Sequence, residues 1–437
     1  MRRHQYVVAA FAATTLLLGA CSNANSDDKA TPGGPGAGSA AAGAWKAPTA
    51  DCTDPAAATK EITGTLKVGW SAALSGPLAG AVGNVLQGMK DRFAVENAAG
   101  GINGVKLDVV TRDDAFDPAK AKANVGQLIQ SDKVDVLDVF GSGQLDAVAD
   151  DQNAACVPLL FAQSGVPTFR DVKNYPWTTQ YLPSADVETA FDVELLKQKY
   201  PNGAKVAIAA NQTASGKGLA DGFKKAIEGT NLTLVKEVSL ADPAAAATTL
   251  SSSGAQVLFD AGVTTDCPAL SIAIGRSGWK PETFIQPSNC VDGNTLYKPA
   301  GAAADGQLVP VWLKNPASPL YAADAGVTDF AAKVKAANNP APTNSYTVNG
   351  WVLGDLMIDV FKKAAASQSK LSHAGIMEAA RVQEYQPPMF IDGIKWKMAP
   401  TAPLGILAFR PFQWNAAETQ FKPFGEVIDI SSKYITK

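Results

Sequence analysis

An α/β protein with two parallel sheets is predicted by three features of the 437-residue sequence. Short β-branched runs alternate with longer helical patterns, the alternation restarts after an extended proline-containing stretch, and Asp-Pro dipeptides mark helix starts. Strands that read as near-continuous apolar runs must be covered on both faces, as in a parallel sheet between helices.

The chain opens with Arg2 and Arg3, an apolar stretch from Val7 to Leu18, and the sequence Leu18-Gly19-Ala20-Cys21. A basic start, a short apolar run and small residues before a cleavage point have the plan of a secretory signal, and the run is too brief to span a bilayer. With cysteine after the cut, the pattern resembles the lipobox of bacterial lipoproteins. That resemblance implies removal of residues 1–20, acylation of Cys21 and anchoring through two acyl chains. Residues 21–50 read as a flexible tether: they are Gly, Ala, Ser, Pro and Asp with almost no bulky apolar side chain, and cannot bury enough surface to offset chain entropy.

The body starts at Leu66. Strands are expected at Leu66 to Trp70, Leu107 to Thr111, Val134 to Phe140 and Pro158 to Phe161, with helices at Asn84 to Asn97, Pro118 to Gln130 and Leu145 to Ala155. Tyr175-Pro176-Trp177 to Leu182-Pro183 is extended and suits a passage between lobes. Further strands follow at Lys205 to Ala209, Leu234 to Val238, Val257 to Phe259 and Phe284 to Ile285, with helices at Gly218 to Glu228, Ala244 to Leu250 and Pro268 to Ser277. Asp117-Pro118 and Asp242-Pro243 each place an N-cap acid before a proline at the first helical position. After Val309-Pro310-Val311, helical patterns at Val327 to Asn338 and Asn349 to Ala365 are expected to return to the first lobe, and Ile406 to Phe412 and Glu426 to Ile430 read as strand. The expected division is 51–183 plus about 312–390 for lobe I and 184–311 plus about 391–437 for lobe II.

Composition excludes several functions. With 46% hydrophobic residues and a net charge of -3, the chain is globular, and no Lys/Arg block outside the signal points to nucleic acid. Beyond Cys21 stand four cysteines, Cys52, Cys156, Cys267 and Cys290, an even number in an exported chain. They allow three pairings; Cys52 with Cys156 and Cys267 with Cys290 keeps each bridge within one lobe and is the one expected. No close CxxC pair and a single mature histidine, His373, leave no metal site in view. His373 follows Ser372 at a helix start, the place of a capping or exposed residue. There is no GxSxG elbow. Ser215-Gly216-Lys217-Gly218 lacks the first glycine and the hydroxyl residue of a phosphate loop. Asp113, Asp114 and Asp117 lack EF-hand spacing, and Gly141-Ser142-Gly143 lacks the third glycine of a dinucleotide fingerprint. An enzyme and a cofactor are not expected.

From Leu66 the sequence reads Leu-Lys-Val-Gly-Trp, then Ser75-Gly76-Pro77, a helix with Gly88, Asn97-Ala98-Ala99-Gly100-Gly101-Ile102-Asn103-Gly104, and Asp113-Asp114 before Asp117-Pro118. This string resembles the periplasmic substrate-binding proteins of the leucine/isoleucine/valine-binding type. The likeness continues through Gly141-Ser142-Gly143, Gly216-Lys217-Gly218-Leu219-Ala220 and Gly278-Trp279. It implies a type I binding protein: two Rossmann-like lobes, a hinge of three crossover strands, a small ligand in the cleft, and a monomer at the outer face of the cytoplasmic membrane or in the periplasm. It also implies ABC permease subunits with cytoplasmic ATPases as partners. A non-transport sensor on the same fold is the rival reading.

Strand-end loops are where ligands sit in open α/β sheets. The resemblance places Ser75, Ser142, Gln163 and Ser164 at the ligand from lobe I; Ser215, Thr264 and Ser288 are the candidates from lobe II. Trp70 is a candidate stacking residue. The chain departs from the family at Pro287-Ser288-Asn289-Cys290, where amino-acid binders carry an acid for the ligand ammonium. It also has Ser215 and Val82 where tyrosines are usual. Asp260 and Asp266 are candidate substitutes. A buried ammonium without an acid is costly. The expected ligand is therefore a small organic molecule with an apolar or aromatic body, a carboxylate among the candidates; the alternative is a branched-chain amino acid held at a substituted ammonium site.

Overall fold

The Asp-Pro signal works once more than expected. In the computed structural model, which describes residues 45–400 and 402–435, Asp54 caps a short helix, α1 (Pro55–Thr59), by accepting from the Ala57 N–H. The signal segment, Cys21 and the tether up to residue 44 lie outside the described residues. The expected tether end at residue 50 needs correction. The Trp45 ring lies 5.6 Å from the Arg381 guanidinium, and Lys46 pairs with Glu378 at 2.9 Å, so the first bulky residue after the Gly/Ala stretch is already packed.

The first sheet follows the predicted alternation: β1 (Thr65–Ala72), α2 (Ala79–Ala98), β2 (Lys106–Asp113), α3 (Pro118–Gln130), β3 (Val136–Val139), α4 (Ser142–Ala155) and β4 (Leu159–Ala162). Its order is β2-β1-β3-β4-β5, all parallel. The edge strand β5 (Thr178–Gln180) lies within the stretch expected only to cross between lobes. Asp117 caps α3 through the N–H groups of Ala119 and Lys120, with Pro118 at the first helical position.

The chain then enters the second lobe through α5 (Ala185–Lys199), a helix the periodicity does not announce because ten of its side chains are buried around much of its circumference. There follow β6 (Ala204–Ala210), α6 (Ala214–Ile227), β7 (Leu232–Ser239), α7 (Pro243–Ser251), β8 (Val257–Ala261), α8 (Asp266–Ser277), β9 (Thr283–Ile285), the short α9 (Lys298–Ala300) and β10 (Leu308–Val311). A second passage leads back to α10 (Ala325–Ala336), α11 (Ser345–Ala365) and α12 (His373–Arg381), of which α11 packs along α2. That contact is close because Gly350 lies against the Val85 carbonyl and Gly88 against the Thr347 carbonyl, where a Cβ would not fit.

Three short strands, β11 (Glu384–Tyr385), β12 (Trp396–Ala399) and β13 (Ala402–Gly405), form a separate sheet. Trp396 of β12 packs against Phe161 and Tyr181, which shifts the return to lobe II from the expected residue 391 to the segment after β13. The third passage leads to β14 (Ala408–Asn415), β15 (Gln420–Pro423) and β16 (Ile428–Asp429). The second sheet runs β15-β14-β10-β9-β8-β6-β7, with β16 on β14. It is not wholly parallel: β14 pairs antiparallel with β10, and β15 and β16 antiparallel with β14. Four cysteines stand as the expected pairs, Cys52 with Cys156 and Cys267 with Cys290, at Cα separations of 5.5 and 6.3 Å.

Candidate functional site

Parallel strands aim their carboxyl ends, and the helix starts that follow, at one side of each sheet. Here the two sets of strand ends face each other across a cavity of about 730 Å3, counted with its mouth. The wall from lobe I is built after β3 and β4. Gly141 has φ 110°, a region that favours glycine, and a Cβ there would press on the Phe116 ring. It is the N-cap of α4 and gives that helix no side-chain cap, so the first N–H groups of α4 have no local acceptor. Leu78, Phe116, Phe140 and Gln163 complete this wall.

A chain of hydroxyls crosses from one lobe to the other. Ser142 Oγ lies 2.9 Å from Ser164 Oγ and 2.9 Å from Ser215 Oγ, and Gln180 Nε2 donates to Ser164 Oγ at 3.1 Å. Ser215 opens α6, where Thr213 Oγ1 accepts from the Gly216 N–H. The lobe II wall continues with Leu219, Val263, Thr264, Ser288 and Asn289, and Asn289 Oδ1 accepts from the Thr264 N–H at 2.9 Å.

Among the described residues that line the cavity, Glu188 alone is charged. It comes from α5, is 4% exposed, and accepts from the Ser288 N–H at 2.7 Å and the Ser288 hydroxyl at 2.5 Å. Burial raises its carboxyl above the usual range, and the two hydrogen bonds from Ser288 work in the opposite direction. One turn further on, Asp192 is fully buried with neither oxygen partnered among the described residues. Burial, then the nearby Glu188, hold its carboxyl well above the ordinary value.

The structure brings Gln163, Ser215, Thr264 and Ser288 to the cavity lining, with Ser142 and Ser164 buried directly behind Ser215. Three candidates fall elsewhere. Trp70 lies within β1 beside Asp138 of β3 and is fully buried in the lobe I core, because its position faces the helices covering the sheet. Ser75 is exposed in the loop before α2, which folds back on itself as Asp113 Oδ1 accepts from the Leu74 and Ser75 N–H groups. Asp260 is fully buried on β8 and outside the lining, its carboxyl pushed well up by burial and by Asp266. Asp266 in turn is occupied with the Asn211 amide and the Val263 N–H. The one carboxylate in the lining, among the described residues, is thus neither of these candidates but Glu188, which accepts from Ser288. Ser184 ahead of Asp186 and Glu188 is a helix-start signature that could have located α5; which side of α5 faces the cleft is decided by packing alone.

Known proteins with this architecture are numerous. Residues 65–415 match the model of a family described as periplasmic binding protein. A Leu/Ile/Val-binding protein homolog of Brucella melitensis is 26% identical over 319 residues, 71% of this chain and 82% of that protein. A branched chain amino acid ABC transporter structure from Thermus thermophilus with bound valine superposes with TM-score 0.74 at 17% identity, covering 84% of this chain and 98% of the other. A solute binding protein of an ABC transporter from R. palustris in complex with 4-hydroxybenzoate gives TM-score 0.70 at 20% identity, covering 84% and 97%. With the family model spanning most of its length, this chain belongs to the periplasmic binding protein family.

Proposed function

We propose that the protein is the solute-binding receptor of an ABC importer, closing its two lobes on a small organic molecule and presenting the closed form to permease subunits driven by cytoplasmic ATPases. In this reading the mature chain is a monomer held through acylated Cys21 at the outer face of the cytoplasmic membrane, and it catalyses no reaction. The observation that carries the reading is the cavity walled by strand ends of both lobes, since a ligand touching both favours the closed state by its differential affinity.

The lining supports a ligand with an apolar or aromatic body between Leu78, Phe116, Phe140 and Leu219, and with a carboxylate or other acceptor at the uncapped start of α4 and the Ser142, Ser164 and Ser215 hydroxyls. The bound 4-hydroxybenzoate of the R. palustris relative is a ligand of that class. Glu188 favours a second reading. A carboxylate buried at the far wall, with a second acid behind it and no cationic side chain in the lining, suits a ligand ammonium, and hence an amino acid such as the valine of the Thermus thermophilus relative.

Thermal unfolding of the purified protein with branched-chain and aromatic amino acids, their deaminated acids and neutral amides separates the two. A ligand that binds only the native form must raise the midpoint. Stabilisation by the acids or amides that survives Glu188→Gln supports the first reading. Stabilisation by amino acids alone, lost in Glu188→Gln, establishes the second. If no compound of this panel or of a wider set of small solutes raises the midpoint, the receptor reading fails.

A further inference from the structure

A second cavity, of about 530 Å3 with its mouth, lies along the second passage between the lobes and is separate from the cleft. Its walls come from three sources: Val311 and Trp312 of the passage, Phe412 and Phe421 of the lobe II edge strands, and Tyr321 and Val348 on the lobe I side. Most of the lining is apolar. Its one charged member, Lys314, is occupied by Asp324 at 2.7 Å, Asp392 at 3.1 Å and the Pro388 carbonyl at 3.2 Å. Asn349 is also satisfied, donating to the Ser345 carbonyl and accepting from the Tyr181 hydroxyl. By contrast, the Tyr321 hydroxyl has no partner among the described residues, although Tyr321 is only 9% exposed. Buried donors left unmatched are costly, and most such groups in folded proteins are satisfied.

We propose that this hinge cavity is a second binding site, for a small neutral molecule with an apolar ring and one hydrogen-bond acceptor, and that it forms with the lobes closed. The acceptor would meet the Tyr321 hydroxyl while the ring lies among Val311, Val348, Phe412 and Phe421. The two cavities are separated by contacts between lobes: the Ser345 N–H donates to Asp292 Oδ2 at 3.1 Å, and the Tyr346 hydroxyl to the Asn289 carbonyl at 3.4 Å. Opening the lobes would pull these apart along with the walls, so occupancy of the hinge and closure of the cleft are linked. The inference goes beyond the receptor reading and does not depend on what the cleft binds.

Cyclohexanone and methylcyclohexane, equal in ring size but differing in the acceptor, are suitable probes for an amide NMR titration of the full protein. Saturable shifts at Val311 to Asn315 and Ser345 to Asn349 are expected, with the ketone bound at least ten-fold more tightly. Tyr321→Phe keeps the shape and should weaken the ketone about five-fold while leaving the hydrocarbon unchanged. Val348→Trp should fill the cavity and abolish both. Tyr346→Phe, which lies outside the lining, should weaken the ketone several-fold through the lost contact. Shifts confined to Gln163, Glu188 and Ser288, no saturable shift at the hinge, or affinities unchanged by Tyr321→Phe would overturn the site; a Tyr346→Phe affinity equal to wild type would overturn its link to closure. The cleft variants Ser142→Ala and Glu188→Gln leave the hinge walls intact, so failure of the receptor reading is seen separately.

Discussion

The two helices that face each other across the cleft begin in opposite ways. In lobe I, α4 starts at Gly141 with no side-chain cap, and its first N–H groups are left open beside the cavity; in lobe II, α6 is closed by Thr213, whose hydroxyl takes the Gly216 N–H. A helix start that is already satisfied offers little to a ligand, whereas an open one offers both donors and the positive end of the dipole. The same asymmetry runs through the charges. Lobe I lines the cavity with the Gln163 amide and the Phe116 and Phe140 rings, and lobe II with the hydroxyls of Ser215, Thr264 and Ser288 and the one carboxylate, Glu188. Two lobes of similar topology thus form a cavity with two unlike ends.

The bridges test whether the lobes are also unlike in stability. Cys52–Cys156 spans 104 residues and Cys267–Cys290 spans 23. In the chain-entropy account these contribute about 4.7 and about 3.4 kcal/mol. Paired Cys→Ser replacement should therefore lower stability more in lobe I, as read by urea unfolding with probes in each lobe. Equal losses would show that native-state effects outweigh loop length.

Gly141→Val should be the most damaging single change at the cleft. It forces a β-branched residue into a left-handed conformation against Phe116, at a cost of about 1–3 kcal/mol, and blocks the open start of α4. Calorimetry should show cleft affinity falling at least a hundred-fold. On the opposite wall, Thr213→Ala should cost about 1 kcal/mol of stability as a lost cap and leave affinity nearly unchanged. If both variants affect affinity alike, the contrast between the two helix starts is broken.

The buried acid of lobe II gives a pH signature. Asp192 has a folded-state carboxyl held well above its unfolded value, so the native state binds more protons than the unfolded state between the two. Stability then rises as pH falls through that folded value and declines as pH rises above the ordinary carboxylate range. Asp192→Asn should remove this contribution, flattening the profile from about pH 4 upward and raising the melting point at pH 7. A profile as steep as wild type would assign the slope to Asp138 or Asp260, which are also fully buried and whose carboxyls burial likewise holds well above the ordinary value. The smallest effect is expected from Ser215→Ala. Losing one hydroxyl of the chain across the cleft should weaken ligand binding by about ten-fold at most, near 1 kcal/mol.

Legibility differed between these walls. The lobe I loops were readable because a strand end followed by a helix start must lie at the carboxyl edge of the sheet, and Gly141-Ser142 and Gln163-Ser164 stand at such points. Asp117-Pro118 and Asp242-Pro243 placed α3 and α7 through purely local hydrogen bonds. On the other wall the same rule offered Asp260, yet alternation along β8 turns that side chain into the interior. Glu188 lay in a helix without a clear apolar stripe; Ser184 and the two acids mark where that helix begins, but nothing along the chain marked which of its sides faces the cleft.

The sequence by itself determined the two alternating α/β units, the Asp-Pro helix caps and the loops that edge the cleft, because periodicity, capping and turn chemistry act over a few residues. Only the tertiary structure decided that Glu188 is the carboxylate lining the cavity, that Trp70 and Asp260 are withdrawn from it, and that antiparallel β14 and β15 help to enclose a second cavity at the hinge. Each of these joins segments far apart in the chain, Glu188 and Ser288 being 100 residues apart, and which faces meet across such distances is set by close packing of the whole body.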